Sequence, residues 1–520
     1  MVELNQMKKN FEQPNSSYKE RKPEKEKADF DFTAKDVLDA LRTNRGGPKI
    51  EYIGSATSDF QAEPLILDSE GKPFVVSDWE FELVKNIEGK KSKIRGIQKV
   101  EEFPHFHAEK EKYIKRSAEL GENMFRFSLD FARLCPKEGE FNEALMADYV
   151  KALGLIKARG LEPMLTIFHW PMPEYLVKRD RYGEIEAGGW ENPEAAKHFR
   201  FYVEQVIKFI ADENKVRGAL SEEGFDKNST DKFLSEGLVR YFLTINEPKS
   251  ILGNGYIAGI FPPFKKGNVF LFREVLGKLV EAHDIAFNEI KSGKLKLPPE
   301  RDSKVGAVYN WDYFDGVFGE FLHKTTNEYP TKSIERNGAY SDFLGLDYYC
   351  RATVPALYPP IGPYKPKDRD YGEHPGFGDI YPRGIYEQLK RIHKEYPQKE
   401  IFITEFGFSD KNDKRRPYWI LETTRYIIEA LKHDVPVKGM FLWSLVNNFE
   451  WNLGMDQKFG MFDESELKKE LKGSPVGDLR SWEVWKAVTK AITDPKPESL
   501  QELQTIYERA KSQFIINSKT

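Results

Sequence analysis

Leu243-Thr244-Ile245-Asn246-Glu247-Pro248 is the stretch on which the fold assignment turns. An apolar run that begins at Tyr241 passes into an amide and a carboxylate and stops at a proline. Proline has no N–H to give to a neighbouring strand, and it biases the preceding residue toward extended backbone. The pattern predicts a buried strand over residues 241–246 with Asn246 and Glu247 at its end, where α/β barrels keep their chemistry. Alone, it fits a surface acid after a strand equally well. The decision rests on whether the chain supplies more such strands, and a partner for Glu247.

Working outward, short apolar runs recur at residues 52–55, 124–128, 162–168, 305–310, 343–348, 401–405 and 439–443. Most are apolar throughout rather than alternating, as parallel strands buried on both faces are. Helical patterns fall between or after them at 108–120, 143–159, 193–212, 269–292, 383–396, 417–432 and 481–492. Eight strands alternating with helices predict a single (β/α)8 TIM barrel with long strand-to-helix loops. A doubly wound open sheet is the alternative, but no glycine-rich phosphate fingerprint follows the first strand. The strand-to-helix loops at 51–103, 171–189, 248–268 and 352–381 would wall the mouth. The polar stretch 213–238 reads as a surface insertion on the opposite face. Residues 1–48 read as a flexible charged tail, with a short helix over 32–41 that Thr33 could cap. Residues 49–495 form the barrel domain, and 496–520 a C-terminal helical tail on its outside.

Bulk properties exclude several functions. The 79 basic and 83 acidic residues nearly cancel, so no electrostatic case exists for nucleic acid. No apolar run reaches membrane-spanning length, and residues 1–10 lack the apolar core of a signal peptide, so a cytoplasmic protein is expected. Cys135 and Cys350 are distant and without metal spacing, and read as free thiols. Self-association into a homo-oligomer stays open. The 13% aromatic content suits a sugar-binding cleft, but it would equally fill a large core.

A barrel brings its strand ends to one mouth. The first offers Gln61 just downstream, the second Arg126 and Ser128, the third Phe168-His169-Trp170 and the fourth Asn246-Glu247. The fifth ends in Tyr309-Asn310, the sixth in Asp347-Tyr348-Tyr349 and the seventh in Thr404-Glu405. The eighth ends in Trp443, with Asn447, Asn448, Glu450 and Trp451 beyond. Glu405 is the partner Glu247 needs: 158 residues away, it meets Glu247 only across a barrel mouth. Two carboxyls facing across such a pocket are the minimum for glycoside hydrolysis, one protonated for the leaving oxygen and one ionised. Arg126 beside Glu405 would hold it ionised, Tyr349 could donate to it, and Glu247 could keep its proton.

These residues resemble glycoside hydrolase family 1, the β-glucosidase and β-galactosidase family of (β/α)8 barrels, over residues 53–492. The motifs are GSATSDFQAE (54–63), FRFSLDFARL (125–134), LTIFHWPMPEYL (165–176), TINEP (244–248), GYIAGIFPP (255–263), GLDYY (345–349), ITEFG (403–407) and FLWSLVNNFEWNLGM (441–455), with Phe459-Gly460. HWPMP and Arg416-Pro417-Tyr418 look closest to the archaeal-type branch. The resemblance implies Glu247 as general acid/base and Glu405 as nucleophile, with retention of anomeric configuration. Asn246 would bind the sugar 2-OH. Gln61, His169, Glu450 and Trp451 would hold the 3-, 4- and 6-hydroxyls. Trp443 would form the floor, with Trp170 also against substrate and Phe459 beside O6. Arg126 and Tyr349 would orient the nucleophile. The family implies neither metal nor cofactor.

Four positions depart from the family pattern: Phe406 where asparagine is usual, Asp347 where GLNYY is usual, Phe131 for tryptophan and Asn447 for aspartate. They mark a divergent member. The expected reaction is exo-acting, retaining hydrolysis of terminal β-glucosyl or β-galactosyl residues of small glycosides. Glu450 would repel a 6-phosphate. A β-mannosidase or transglycosylase with the same residues is the alternative, and a sugar-binding pseudoenzyme is a further one, although such proteins typically lose a carboxylate.

Overall fold

The computed structural model describes residues 49–517, apart from 69, 296, 299–301, 317, 339, 353–372, 375–377 and 475–478. The tail expected over 1–48, with its Thr33-capped helix, and most of the 352–381 wall lie outside the described residues.

Eight parallel strands close a barrel. They are β1 (Tyr52–Ala56), β2 (Met124–Ser128), β3 (Glu162–Phe168), β4 (Tyr241–Ile245), β5 (Lys304–Asn310), β6 (Phe343–Tyr348), β7 (Glu400–Gly407) and β8 (Val437–Trp443). Each strand pairs with its sequence neighbours, and β1 pairs with β8 to close the ring. The even burial of β2, β4 and β6 follows from the geometry: inward residues fill the barrel, and outward ones meet helices. Met124, Met164, Leu243, Val308, Phe343, Phe402 and Phe441 pack the interior. Gly54 permits β1 and β2 to approach, since a Cβ there would lie 1.9 Å from the Met124 carbonyl oxygen.

The helices that follow the strands are α1 (Phe106–Glu119), α2 (Glu143–Ala158), α3 (Ala195–Ala211), α4 (Val269–Ile290), α5 (Tyr329–Glu335), α6 (Arg383–Glu395), α7 (Arg416–Lys432) and α8 (Ser481–Thr493). A last helix, α9 (Pro497–Asn517), buries Leu500, Leu503, Ile506 and Tyr507 in the main core. No helix among the described residues is long and apolar enough to cross a membrane. Both cysteines are free and buried.

The polar stretch 213–238, expected as a surface insertion, is built of two helices, Glu213–Glu222 and Lys227–Glu236. Asp212 caps the first by accepting from the Asn214 and Lys215 N–H groups, and Asp226 caps the second through the Ser229 N–H. Their polarity reflects thin burial, with Val216, Ala219, Leu220, Thr230 and Phe233 facing inward. The sequence reading also passed over α5, whose seven residues, with Pro330 in the first turn, are too few to show a period.

A buried ion cluster braces the first loop. Ser58 caps the short helix Asp59–Ala62, which carries Gln61. Arg133 donates to Asp59 (3.1 Å), Glu80 (3.0 Å) and the Glu63 carbonyl (2.6 Å). His107 bridges Asp59 (2.8 Å) and Asp148 (2.7 Å). Burial alone would depress the His107 pKa, but its two aspartates outweigh this and lift it to about 10. Removing one partner of a buried ion pair leaves an uncompensated charge, at a cost of about 3–5 kcal/mol. Arg133→Met should therefore lower stability by roughly that amount in urea denaturation, with Arg133→Lys falling between.

Candidate active site

At the mouth, the tops of β2, β3, β4, β6 and β7 converge on the Arg126 guanidinium. It donates to Thr166 Oγ1 (3.2 Å), the Thr404 carbonyl (2.9 Å), Glu405 Oε1 (2.7 Å) and Asn246 Oδ1 (2.6 Å). Its bond to Asn246 orients that amide, leaving Nδ2 3.2 Å from His169 Nε2. Burial, then the charge of Arg126, holds the His169 pKa well below its usual value, so the ring is neutral. His169 Nδ1 is buried without a hydrogen-bond partner.

Glu405 stands where the β7 register slips, between Ile403 and Glu405 against β6 and between Ile403 and Phe406 against β8. A bulge of this kind re-aims side chains next to active sites. The Tyr349 hydroxyl donates to Glu405 Oε2 at 2.5 Å. Both contacts expected for Glu405 are thus present, and each favours its ionised form against the effect of burial. Burial pushes its pKa up, Arg126 pulls it down and Glu247 pushes it up again, to about 7. Desolvation disfavours the anion more than one guanidinium favours it.

Glu247 follows β4 in left-handed backbone, φ 43° and ψ 66°, and caps the short helix Pro248–Leu252. Ser250 donates to its Oε2 at 2.5 Å, and Asn310 Nδ2 at 3.3 Å. Carboxyl oxygens of Glu247, Asp347 and Glu405 lie within 4.8 Å of one another. Arg126, Tyr349, Ser250 and Thr404 already bond these carboxyls, and we assign no metal ion to them.

These groups border a cavity of about 460 Å³. Gln61, His169, Trp170, Asn246, Glu247, Tyr349, Glu405, Trp443, Glu450 and Trp451, all expected at the site, line it. Gln61 Nε2 donates to Glu450 at 3.1 Å. Burial, then the charges of Glu405 and Glu247, raises the Glu450 pKa well above that of an ordinary glutamate. The His169 ring stacks between Trp443 (6.1 Å, 25°) and Trp451 (6.0 Å, 15°), and Trp170 Nε1 donates to the Asn246 carbonyl at 2.9 Å. Arg126 lies beneath the lining. Phe459 is not in it either: fully buried, it packs edge-on to Tyr349 at 5.8 Å, which corrects its expected place against the sugar.

Three departures face away from the cavity. Phe406 packs on Trp419 and Trp485, Phe131 on Phe199 and Tyr202, and Asn447 bonds Asp463. Asp347 is not in the lining either, but it lies directly beneath it, within 4.8 Å of Glu247 and Glu405. Residues missed from sequence are Ser250, Asn310 as a partner of Glu247, and the apolar outer wall of Ile257, Ile260, Phe261, Phe272 and Phe314. Ser250 was detectable by its three-residue spacing from Glu247 on a helix start. The wall had no signal, since its members look like core residues.

A closed parallel barrel with paired carboxyls, amides and tryptophans at its mouth defines a glycosyl hydrolase. The model of glycosyl hydrolase family 1 matches residues 48–230 and 327–474, and the chain belongs to that family. β-Glucosidase A of Thermotoga maritima is 26% identical over 403 residues, covering 68% of this chain and 81% of its own. Coniferin β-glucosidase of Pinus contorta is 24% identical over 488 residues, covering 80% and 87%. The fold matches the solved β-glycosidase from Pyrococcus horikoshii with a TM-score of 0.63 at 22% identity, over 88% of this chain and 98% of that one. The chain is a β-glycosidase of this family. Glu247 falls between the two matched segments, so its place in the site rests on geometry.

Reactivity of a carboxyl nucleophile tracks its ionised fraction. Labelling of Glu405 by a carboxyl-directed epoxide, mapped by peptide mass spectrometry, should fall as pH drops through about 7. Tyr349→Phe removes a donor to the anion and should move that midpoint up by about one unit.

Proposed function

We propose that the chain is an exo-acting, retaining β-glycosidase that releases terminal β-glucosyl or β-galactosyl residues from small glycosides. The observation that carries this reading is the pair Glu247 and Glu405, with carboxyl oxygens within 4.8 Å across the cavity and with different partners. Retaining enzymes hold their carboxyl groups about 5–5.5 Å apart, whereas inverting ones leave space for a water between them. Glu405, the partner of Arg126 and Tyr349, attacks the anomeric carbon as the C–O bond breaks. Glu247 protonates the departing oxygen, then takes a proton from the water that cleaves the glycosyl ester, regenerating Glu405. Asn246 holds the 2-OH through the transition state, and neutral His169 offers Nδ1 to a hydroxyl. Because Glu450 tends to keep its proton, its repulsion of a 6-phosphate is weaker than the sequence implied.

Exposure supports exo action. Gln61 (1%), His169 (4%) and Glu450 (9%) close the inner end, while Ile257 (39%) and Ile260 (38%) stand at the outer rim. The apolar outer wall suits an aromatic or alkyl aglycone better than a second sugar. We further take residues 49–495 as the catalytic domain, with 496–520 as an appended helical segment. Two solved relatives are described as a dodecameric crystal form and as a derivative of a tetrameric structure. Self-association of this chain is read by light scattering.

Glu405→Gly should reduce turnover of aryl glycosides by at least about a thousandfold, with azide restoring it to give a product of inverted configuration. Glu247→Gln should slow substrates with poor leaving groups far more than activated aryl glycosides, and equal losses on both would argue against its acid role. Aryl and alkyl β-glucosides should show higher kcat/KM than cellobiose, and the reverse would count against the aglycone assignment.

A further inference from the structure

Asp347 is the departure that reaches the chemistry. It is the penultimate residue of β6 and pairs in register with Glu405 on β7 and with Asn310 on β5. It is fully buried. Thr404 Oγ1 bonds its Oδ1 at 2.6 Å, while its Oδ2 is buried without any hydrogen-bond partner. A carboxyl oxygen lies within 4.8 Å of one on Glu247 and one on Glu405.

The groups around it are Glu405 and Thr404 from β7, Arg126 from β2, Glu247 after β4, Asn310 from β5 and Tyr349 just beyond the end of β6. Arg126 is the cation among them, and four of its five N–H donors go to Glu405, Asn246, Thr166 and the Thr404 carbonyl. An ionised Asp347 would be a buried anion with no N–H donor to either oxygen and two carboxyls beside it. Such a group stays neutral.

We propose that Asp347 is a positioning residue that works as an uncharged carboxylic acid: anchored by Thr404, it turns its second oxygen toward Glu247 and Glu405 and leaves Glu405 as the single anion beside Arg126. In this form it stands in for an amide, with one difference, that it can lose its proton. Once ionised, Asp347 sets a second anion against Arg126 and draws the guanidinium from Glu405, so activity falls on the alkaline side. Burial, then the charges of Glu405 and Glu247 against that of Arg126, keeps its pKa well above that of an ordinary aspartate.

The linkage sign gives a test that needs no substrate. The folded state holds this proton more tightly than the unfolded chain, where an aspartate titrates near ~3.9. Above that pH the unfolded state binds fewer protons, so the contribution of Asp347 to stability becomes steadily less favourable as pH rises toward its folded pKa. Asp347→Asn keeps the shape and removes the titration. Its melting temperature relative to the native chain should rise progressively from about pH 4 to pH 8. A constant offset, or a loss that grows with pH, would overturn the proposal. The inference about rate rests on the assigned roles of Glu247 and Glu405. There, Asp347→Asn should move the alkaline limb of kcat/KM upward by at least about one pH unit, and an unmoved limb overturns the positioning role. Should that variant not fold, Thr404→Val removes the bond that favours the ionised form and should move the same limb upward. Failure of the hydrolase assignment would leave the melting comparison intact, so the two outcomes are separable.

Discussion

The Arg126 guanidinium is the constraint around which the site is arranged. Fully buried at the top of β2, it ties that strand to β3, β4 and β7 through hydrogen bonds to Thr166, Asn246, Thr404 and Glu405. A buried guanidinium is costly unless its donors are engaged. Four hydrogen bonds from Arg126 hold side chains and backbone from three other strands in fixed orientations at the mouth. The bond to Asn246 decides which way the amide faces, and so what its Nδ2 offers to His169 and the cavity. Glu405 is thereby the carboxyl with both a cation and a phenol donor, whereas Glu247 has a serine and an amide. The different roles proposed for the two carboxyls rest on that asymmetry.

Holding these groups above the barrel requires local strain. Trp170 (φ 88°), Glu247 (φ 43°) and Trp451 (φ 51°) adopt left-handed backbone, each at a cost of about 1–3 kcal/mol. The surroundings over-determine them. Trp79, Phe60, Phe261, Trp170 and Trp451 form one aromatic cluster over the mouth. The Arg133 ion cluster pins the loop from which Phe60 and Gln61 project. Strain at Glu247 and rigidity in the loop behind it are two sides of one arrangement.

The site is also crowded with acid. Burial raises Asp347, Glu405 and Glu450 above ordinary carboxyl values, and Arg126 pulls against that rise at Asp347 and Glu405. A dry pocket can in this way favour the protonated form of some carboxyls while a neighbouring guanidinium favours the anion of another.

The sequence by itself determined the barrel and most of its site. Each strand was legible as a short apolar run because both faces of a parallel strand are buried, and Glu247 and Glu405 were legible as polar interruptions at strand ends. Phe406, Phe131 and Asn447 looked like changes to the site but face other packing partners, since strand alternation and loop direction are not readable beyond the last regular residue. Helices over 213–236 and α5 escaped because they are short and largely polar, so the few apolar residues each buries do not stand out from a loop. Only the tertiary structure decided which groups share the space: that Phe459 stands behind Tyr349, that Ser250 and Asn310 hold Glu247, and that Asp347 lies within 4.8 Å of both reacting carboxyls. The physical reason is that proton affinity depends on burial and on charges brought together from distant parts of the chain, and neither exists until the barrel has closed.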